Sequence, residues 1–400
     1  MIADLFLTYS IFALWLTVNA LRGPSPPTSR LPALWLPAIL TAELAPLWLM
    51  IRGGVLVWST ATEVTDRPVG RAGAFVLLLS MSGLVVLIAR SRRAIRLLGR
   101  PRLAVPRYAW PFRIPESVER REDLPYADGL TLDLYLPKNR AQPVPALIYV
   151  HGGGWSGGSP RRAGRPLVHC LAAAGWGVAA INYPLSPAAT FPDHLVGVKR
   201  AVAWVRSAGS SHGLDSSRPV IVGGSSGAHL AALAALTPGR PDLQPGFEND
   251  DTSLSACVGL YGIYDFVNRH RTRFDWPLIP RRVMKTTPQE DPALYRLASP
   301  IDQVHAEAPD FLLLHGTHDP LVPPAETEHF VMALAGVSRH RVAYLEILGA
   351  GHSFDALHSP RTVATAAAID HFLRPVPVGF PLGIDRGTRR VRARVYRRRP

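Results

Sequence analysis

The sequence predicts an α/β fold, a doubly wound and mostly parallel sheet, preceded by an N-terminal α-helical transmembrane segment. Three observations predict it. From about residue 114 onward, short apolar runs alternate with helix-spaced stretches, the rhythm of strands joined by crossover helices that cover both sheet faces. Glycine-rich or turn-rich loops follow directly on several of those runs, at the strand ends where open α/β sheets place their ligands. The first ninety residues carry long uncharged runs, unlike the rest of the chain.

Taking the N-terminal part first, Leu5 to Leu21 is a 17-residue run without a charge. Leu31 to Ile51 is 21 residues with one charge, Glu43, and with Pro32, Pro37 and Pro46. Ala72 to Ala89 is an uncharged run of 18 residues between Arg71 and Arg90. A bilayer span takes about 20 mostly apolar residues. The first and third runs therefore read as spans, and the second as a further span or a kinked, re-entrant segment. Residues 1–102 are expected to be a membrane anchor with two to three transmembrane helices. A cleaved signal peptide fits less well, because a basic n-region and a small-residue cleavage site are missing before Arg22.

Arg90, Arg92, Arg93, Arg96, Arg100 and Arg102 follow the third run at once. An excess of basic residues marks a cytoplasmic flank. A multi-pass protein of the cell membrane is expected, with the Arg22/Arg30 loop inside, the loop from Arg52 to Arg71 outside and the globular body in the cytoplasm. Glu43 reads as an interfacial or helix-packing residue beside Pro46, with a functional intramembrane acid as the alternative.

The formal charge of +14 sits at the edges of the body. Residues 90–113 and 386–400 each hold eight Arg and no acid, and residues 1–89 hold five Arg against four acids. The body itself is near neutral by difference, and the basicity belongs to its edges. Cys170 and Cys257 are isolated in apolar contexts and read as buried free thiols. CxxC pairs and His/Cys clusters of metal spacing are missing, and His315 and His318 lack a third ligand. Neither a metal nor a cofactor is expected.

Within the body, residues 103–375, Thr131 to Leu136 alternates as an early strand. Ala146 to Val150, Gly177 to Ile181, Val220 to Gly224, Ala256 to Tyr261, Phe311 to Leu314 and Val342 to Leu348 read as further strands. Pro192 to Arg206, Gly227 to Leu236, Pro324 to Leu334 and Pro360 to Leu373 read as helices. Residues 265–303 break the rhythm with Pro, Arg and aromatics. Such an insertion is either a cap over the site or a plain surface excursion.

Two motifs carry the chemistry. Gly223-Gly224-Ser225-Ser226-Gly227 is a G-x-S-x-G run directly after the Val220–Val222 strand, and a serine on such a strand-to-helix turn is exposed as a nucleophile. His151-Gly152-Gly153-Gly154-Trp155 follows the Ala146–Val150 strand, where backbone N–H groups can face the oxyanion that attack creates. A serine hydroxyl needs a base, and the base needs an acid that fixes its tautomer. In doubly wound hydrolases the chain order is Ser, Asp or Glu, His. Asp319 and His352 lie in the loops after the next two suitable strands. The expected catalytic residues are Ser225, His352 as base and Asp319 as its orienter. The expected oxyanion donors are the N–H groups of Ser226, Gly153 and Gly154, with His151 and Gly152 holding the loop. Asp302, Asp310 and Asp370 are not in post-strand loops, and His315 reads as a packed, hydrogen-bonded residue.

These two motifs, with Asn182-Tyr183-Pro184-Leu185-Ser186-Pro187, His315-Gly316-Thr317-His318-Asp319 and Gly351-His352-Ser353, resemble the hormone-sensitive-lipase-like branch of the α/β-hydrolases over residues 115 to 375. The membrane-anchored arrangement resembles the actinobacterial esterases called Lip proteins. The sequence departs from the family pattern at Ser226, where Ala is usual, and at Pro184, where Arg often follows Asn-Tyr. The resemblance implies a serine carboxylic ester hydrolase acting on esters with short to medium acyl chains or on lipid-derived esters. An amidase, formamidase or acyltransferase with the same triad, and a non-catalytic membrane-associated scaffold, are the alternatives. Residues 376–400 read as an Arg-rich disordered tail, suited to an anionic lipid surface. Between Arg386 and Arg399 the single aromatic, Tyr396, speaks against a nucleic-acid arm.

Overall fold

The computed structural model describes residues 1–22, 35–97, 116–140, 143–162, 164–374 and 393–396. Its N-terminal part is helical: α1 (Ile2–Arg22), α2 (Trp35–Glu43), α3 (Ala45–Ala61) and α4 (Pro68–Leu97). Helices α1 and α4 are each long and apolar enough to cross a membrane, and α2 with α3 makes a third such segment if the pair, bent by 82°, counts as one. The bend follows from Pro46 near the start of α3. Proline has no N–H for the preceding turn, and its ring crowds that turn's carbonyl. Leu44 leaves helical geometry there, at φ −103° and ψ 18°. The indole of Trp48 donates to the Leu40 carbonyl across the break at 3.1 Å.

Helices α1 and α4 run side by side in the same direction. Near one end Phe6 lies against Gly73, and at the other Arg90 donates to the Leu21 carbonyl at 3.0 Å. Helix α3 runs the opposite way, because Ala45 packs with Ala20 and Leu87 while Val55 and Leu56 pack with Ala3 and Phe6. Residues 52–71 were expected to form a loop. Instead α3 continues through Arg52 to Ala61. Arg52 is accommodated inside the bundle because its guanidinium donates at 2.6 Å to the hydroxyls of both Thr17 and Ser80. A buried charge is retained where polar groups face it, as these two hydroxyls face one end of the guanidinium.

Among the described residues, the body is built on a nine-stranded sheet in the order β1-β2-β4-β3-β5-β6-β7-β8-β9. Its strands are β1 (Val118–Ala127), β2 (Leu130–Pro137), β3 (Val144–Val150), β4 (Gly177–Ile181), β5 (Leu214–Gly224), β6 (Ala256–Leu260), β7 (Asp310–Gly316), β8 (Val342–Ile347) and β9 (Ala393–Tyr396). Neighbours from β4 through β8 are parallel, and β1, β2 and β9 add antiparallel edges. The helices are α5 (Arg165–Ala173), α6 (Asp193–Ala208), α7 (Ser226–Leu236), α8 (Pro292–Leu297), α9 (Pro324–Val337) and α10 (Pro360–Leu373). Successive strand side chains point to opposite faces. Ile148 and Val150 of β3 therefore join one core with α6 and α7, while Leu147 and Tyr149 join the other with α5 and α10. Burial on both faces explains the uninterrupted apolar runs of the parallel strands. The predicted doubly wound α/β architecture is the one observed.

Three places differ from or extend the expectation. Strand β1 is charged (VERREDLPYA) and carries no alternation, yet it pairs with β2 as an outer strand, with Arg121 paired to Glu119 at 2.8 Å. Edge strands tolerate charge because one rim and one face meet water. In the stretch 376–400, read as disordered, Ala393–Tyr396 forms a strand antiparallel to β8. An open sheet edge offers backbone hydrogen bonds that need no apolar side chains. The remainder of that stretch, and Arg100 and Arg102, lie outside the described residues. Within 265–303, Phe266 packs on Trp155 with ring centroids 5.1 Å apart, and a Cβ on Gly154 would lie 3.2 Å from Leu278. The insertion thus rests against the glycine-rich loop.

Candidate active site

Ser225 stands at the turn between β5 and α7 with φ 56° and ψ −122°. An L-residue pays strain there, and the neighbourhood explains why it holds. The Ser225 N–H donates to the Leu260 carbonyl on β6 at 2.9 Å. Gly227 permits the turn to approach β3, since a Cβ on it would lie 2.1 Å from the Val150 carbonyl oxygen. The hydroxyl is thereby lifted above the carboxyl ends of the strands.

His352, in the loop after β8, places Nε2 2.9 Å from Ser225 Oγ and Nδ1 2.7 Å from Asp319 Oδ2. A carboxylate only accepts, so the imidazole proton sits on Nδ1 and the Nε2 lone pair faces the serine. Asp319, in the loop after β7, is fully buried. Its Oδ1 accepts from the N–H groups of Leu321 and Val322, both at 2.9 Å. Burial opposes its ionisation, but the nearby His352 and hydrogen bonds from His315 and His352 outweigh it and hold the carboxyl well below the usual carboxylate range.

His315 is a packed residue, as read from the sequence. Its Nε2 faces two acceptors, the Val322 carbonyl at 2.8 Å and Asp319 Oδ2 at 3.2 Å, so it carries the proton there. Its Nδ1 then accepts from the Thr327 hydroxyl at 2.7 Å.

The glycine-rich loop after β3 lies beside the serine turn. A Cβ on Gly152 would come within 2.8 Å of the Gly224 oxygen and 3.2 Å of Ser225 Cβ. Gly153 (φ +133°) and Gly154 (φ +62°) take backbone conformations open to glycine. The Tyr183 hydroxyl donates to the His151 carbonyl at 3.1 Å, and the Ser186 N–H donates to the Trp155 carbonyl at 2.8 Å. The residues on either side of Pro184 therefore support the loop although arginine is missing. The His151 ring stacks on Tyr183 with centroids 4.4 Å apart, and burial lowers its pKa to about 4. It is a neutral packing group near pH 7. Ser226 begins α7 and is buried, so its N–H lies at the positive end of the helix dipole.

Sequence reasoning missed two groups close to this constellation. Trp155 Nε1 donates to His229 Nδ1 at 3.1 Å, a pairing across 74 positions that the linear pattern does not show. Tyr261 lies with its ring centroid 4.6 Å from that of His352, and its hydroxyl donates to the buried Asp355. Nothing in the linear spacing joins Tyr261 to Asp355. Among the described residues, groups of three or more His, Cys, Asp or Glu able to hold a metal ion are absent.

This mostly parallel sheet with helices on both faces, and a serine at the β5–α7 turn, defines the α/β-hydrolase class. The family described as BD-FAE matches residues 132–334. The chain is 38% identical to the esterase LipQ of Mycobacterium tuberculosis over 292 residues, 72% of this chain and 69% of LipQ. It is 43% identical to the probable carboxylic ester hydrolase LipM of the same organism over 235 residues, 58% of this chain and 54% of LipM. Among solved structures, the apo form of Thermogutta terrifontis esterase 2 matches with a TM-score of 0.51 and 25% identity, over 65% of this chain and 95% of that one. The chain belongs to the BD-FAE family, within the hormone-sensitive-lipase-like esterases, and is a hydrolase enzyme.

Proposed function

We propose that the protein is a membrane-anchored serine carboxylic ester hydrolase that works through an acyl-enzyme. Ser225 Oγ attacks the ester carbonyl while His352 Nε2 takes its proton. The tetrahedral oxyanion is held by the N–H groups of Ser226, Gly153 and Gly154. His352 returns the proton to the leaving alcohol, and Ser225 retains the acyl group. Water then attacks that acyl group, again losing a proton to His352, and the acid leaves as Ser225 is re-protonated. Asp319 keeps the imidazole in the productive tautomer and stabilises its charged form.

The observation that carries this reading is the unbroken hydrogen-bond chain from Ser225 Oγ through His352 to Asp319, at 2.9 and 2.7 Å, beside a glycine loop. The names of LipQ and LipM as ester hydrolases support the substrate class. Residues 1–102 serve as the anchor, residues 103–375 as the catalytic domain and residues 376–400 as a basic tail. The arginines at the end of α4 and in residues 386–400 favour a cytoplasmic catalytic domain beside anionic headgroups, each basic residue near the surface contributing about 1 kcal/mol. An anchored hydrolase of this kind suits apolar, lipid-derived esters as well as short to medium acyl chains.

The test is hydrolysis of a p-nitrophenyl ester chain-length series by the membrane-embedded protein beside Ser225→Ala. Loss of a triad nucleophile costs on the order of 10⁶-fold in kcat, so activity should vanish in the variant. Equal rates in both proteins would remove the ester reading. Acyl transfer to added amines or alcohols outpacing hydrolysis would move it to a transferase.

A further inference from the structure

The loops that carry Asp319 and His352 both touch the N-terminal helices. The Trp35 indole on α2 donates Nε1–H to the backbone carbonyl of His352 at 3.2 Å, and its ring centroid lies 6.3 Å from that of the imidazole. One residue earlier, a Cβ on Gly351 would meet Ile39 Cγ1 at 3.4 Å, and at Gly349 it would meet Arg90 Cβ at 3.7 Å. Arg90, on α4, also places its guanidinium 3.5 Å from His318 Nε2, next to Asp319, while donating to the Leu21 carbonyl. Further on, Arg361 in the first turn of α10 is ion-paired to Glu43, the last residue of α2, and each side chain is only 2% exposed. Ala94 of α4 is buried in the same core as Ala350 and Phe354, on either side of His352.

These contacts have a common geometry. The 82° bend at Leu44 turns α2 out of the direction of α3, so α2 lies across the end of the bundle and presents Trp35, Ile39 and Glu43 to the catalytic body. The Glu43–Arg361 pair fixes one end of α2 to α10. Trp35 at the other end holds a main-chain carbonyl of the histidine loop. Neither contact reaches the reacting atoms. Both set where the imidazole stands, and a misplacement of about 1 Å in such a group can cost about 10²-fold in rate.

We infer that α2 and the end of α4 are part of the catalytic unit, with Trp35 a positioning residue that fixes the His352 loop, Arg90 doing the same for the Asp319 loop, and the buried Glu43–Arg361 pair locking α2 in place. The inference rests on the reading of Ser225, His352 and Asp319 given above. It makes the membrane anchor an element of the active site rather than a tether.

The experiment uses the full chain in nanodiscs and a water-soluble short-chain p-nitrophenyl ester, so that partition into lipid does not enter. Trp35→Phe removes the N–H and keeps a ring, Trp35→Ala removes both, and Glu43→Gln removes the ion pair. A fluorophosphonate titration counts competent Ser225 sites, so that rates are compared per folded site. Trp35→Phe is expected to lower kcat about tenfold with KM unchanged and to displace the acid limb of the kcat/KM–pH profile. Trp35→Ala and Glu43→Gln are expected to lower kcat by 10- to 100-fold. Should Trp35→Ala fail to fold, Trp35→Phe decides. Per-site kcat within twofold of the parent in Trp35→Phe and Glu43→Gln, with an unmoved pH profile, overturns the inference. Hydrolysis that persists in Ser225→Ala in the same nanodiscs would instead overturn the nucleophile assignment on which it rests.

Discussion

The indole N–H of Trp155 donates to Nδ1 of His229 at 3.1 Å, and Nε2 of His229 donates to the Ala298 carbonyl at 2.7 Å. This relay ties the glycine loop to α7, whose first residue is Ser226, and then to the segment that follows α8. Its tautomer is forced: with Nε2 donating, only Nδ1 is free to accept. Trp155→Phe keeps the packing on Phe266 but leaves a buried acceptor without a donor, which costs about 1–3 kcal/mol. A lower melting temperature is expected, with a fall in kcat of about tenfold as the loop loosens. An unchanged melting temperature would show that the relay contributes nothing.

Gly153→Ala tests the loop itself. At φ +133° a side chain is strained, and its Cβ would sit 2.2 Å from the Gly157 carbonyl oxygen. The backbone must shift, and the neighbouring N–H groups shift with it. Loss of an oxyanion donor costs about 10²- to 10³-fold in kcat. The variant is expected to lose activity in that range with KM little altered. A kcat near that of the parent, measured on protein with parental thermal stability, would place the oxyanion elsewhere.

The reach of the sequence follows from where its signals are local. Strand β4 and helix α10 were read with the bounds observed, Gly177–Ile181 and Pro360–Leu373, because apolar runs and a proline at a helix start are local signals. Ser225, Asp319 and His352 were legible because each follows a strand whose carboxyl end faces the same edge. Strand β1 was not, since its stability comes from pairing with β2 and its own residues are charged. The Trp155–His229 bond spans 74 positions and the Tyr261–Asp355 bond 94, distances that only the topology closes. Glu43 reads from the sequence as an interfacial or helix-packing residue. Its packing partner, Arg361, lies 318 positions away in the body, so the linear pattern could show the burial and not the ion pair.

Asp319→Asn separates tautomer control from local structure. Oδ1 of Asp319 accepts from Leu321 and Val322, and Oδ2 accepts from His352 and His315. Asparagine can keep the first set but turns an NH₂ toward His352 Nδ1, which places the imidazole proton on the nitrogen facing Ser225. The expected loss in kcat is about 10⁴-fold. Folding should survive, at reduced stability, because the His315 contact also faces a donor. A variant with more than about a tenth of the parent's kcat would exclude Asp319 as the orienter.

Four buried histidines give the fold an acid limit set above the carboxylate range. Burial lowers the pKa of His151 and His194 to about 4 and of His169 and His229 to about 3, with nearby Arg165 adding to the effect at His169. The unfolded chain protonates these groups near pH 6.5. Between that value and the folded one, the unfolded state binds more protons, so stability falls as pH falls. Each neutral histidine contributes a slope of about 1.4 kcal/mol per pH unit in that window. Thermal unfolding should show a melting temperature that declines from about pH 6.5 down to pH 4. A flat profile through that interval would mean that these side chains are not buried in the native protein.

Asp355 has the opposite sign. It is 1% exposed and close to His352, and burial raises its pKa even though the Tyr261 hydroxyl donates to it. The folded state therefore holds its proton to higher pH than the unfolded chain does. The stability linked to that proton is complete below the unfolded value near 3.9 and is lost as pH rises through the folded value. Asp355→Asn keeps an acceptor for Tyr261 and removes the ionisation, and its NH₂ replaces Oδ2, which has no hydrogen-bond partner among the described residues. The melting temperature of the variant relative to the parent should thus increase as the pH is raised from 4 to 8, because an ionised buried carboxylate costs more than a buried amide. Parallel curves for the two proteins across that range would show that Asp355 ionises as freely in the folded protein as in the unfolded chain.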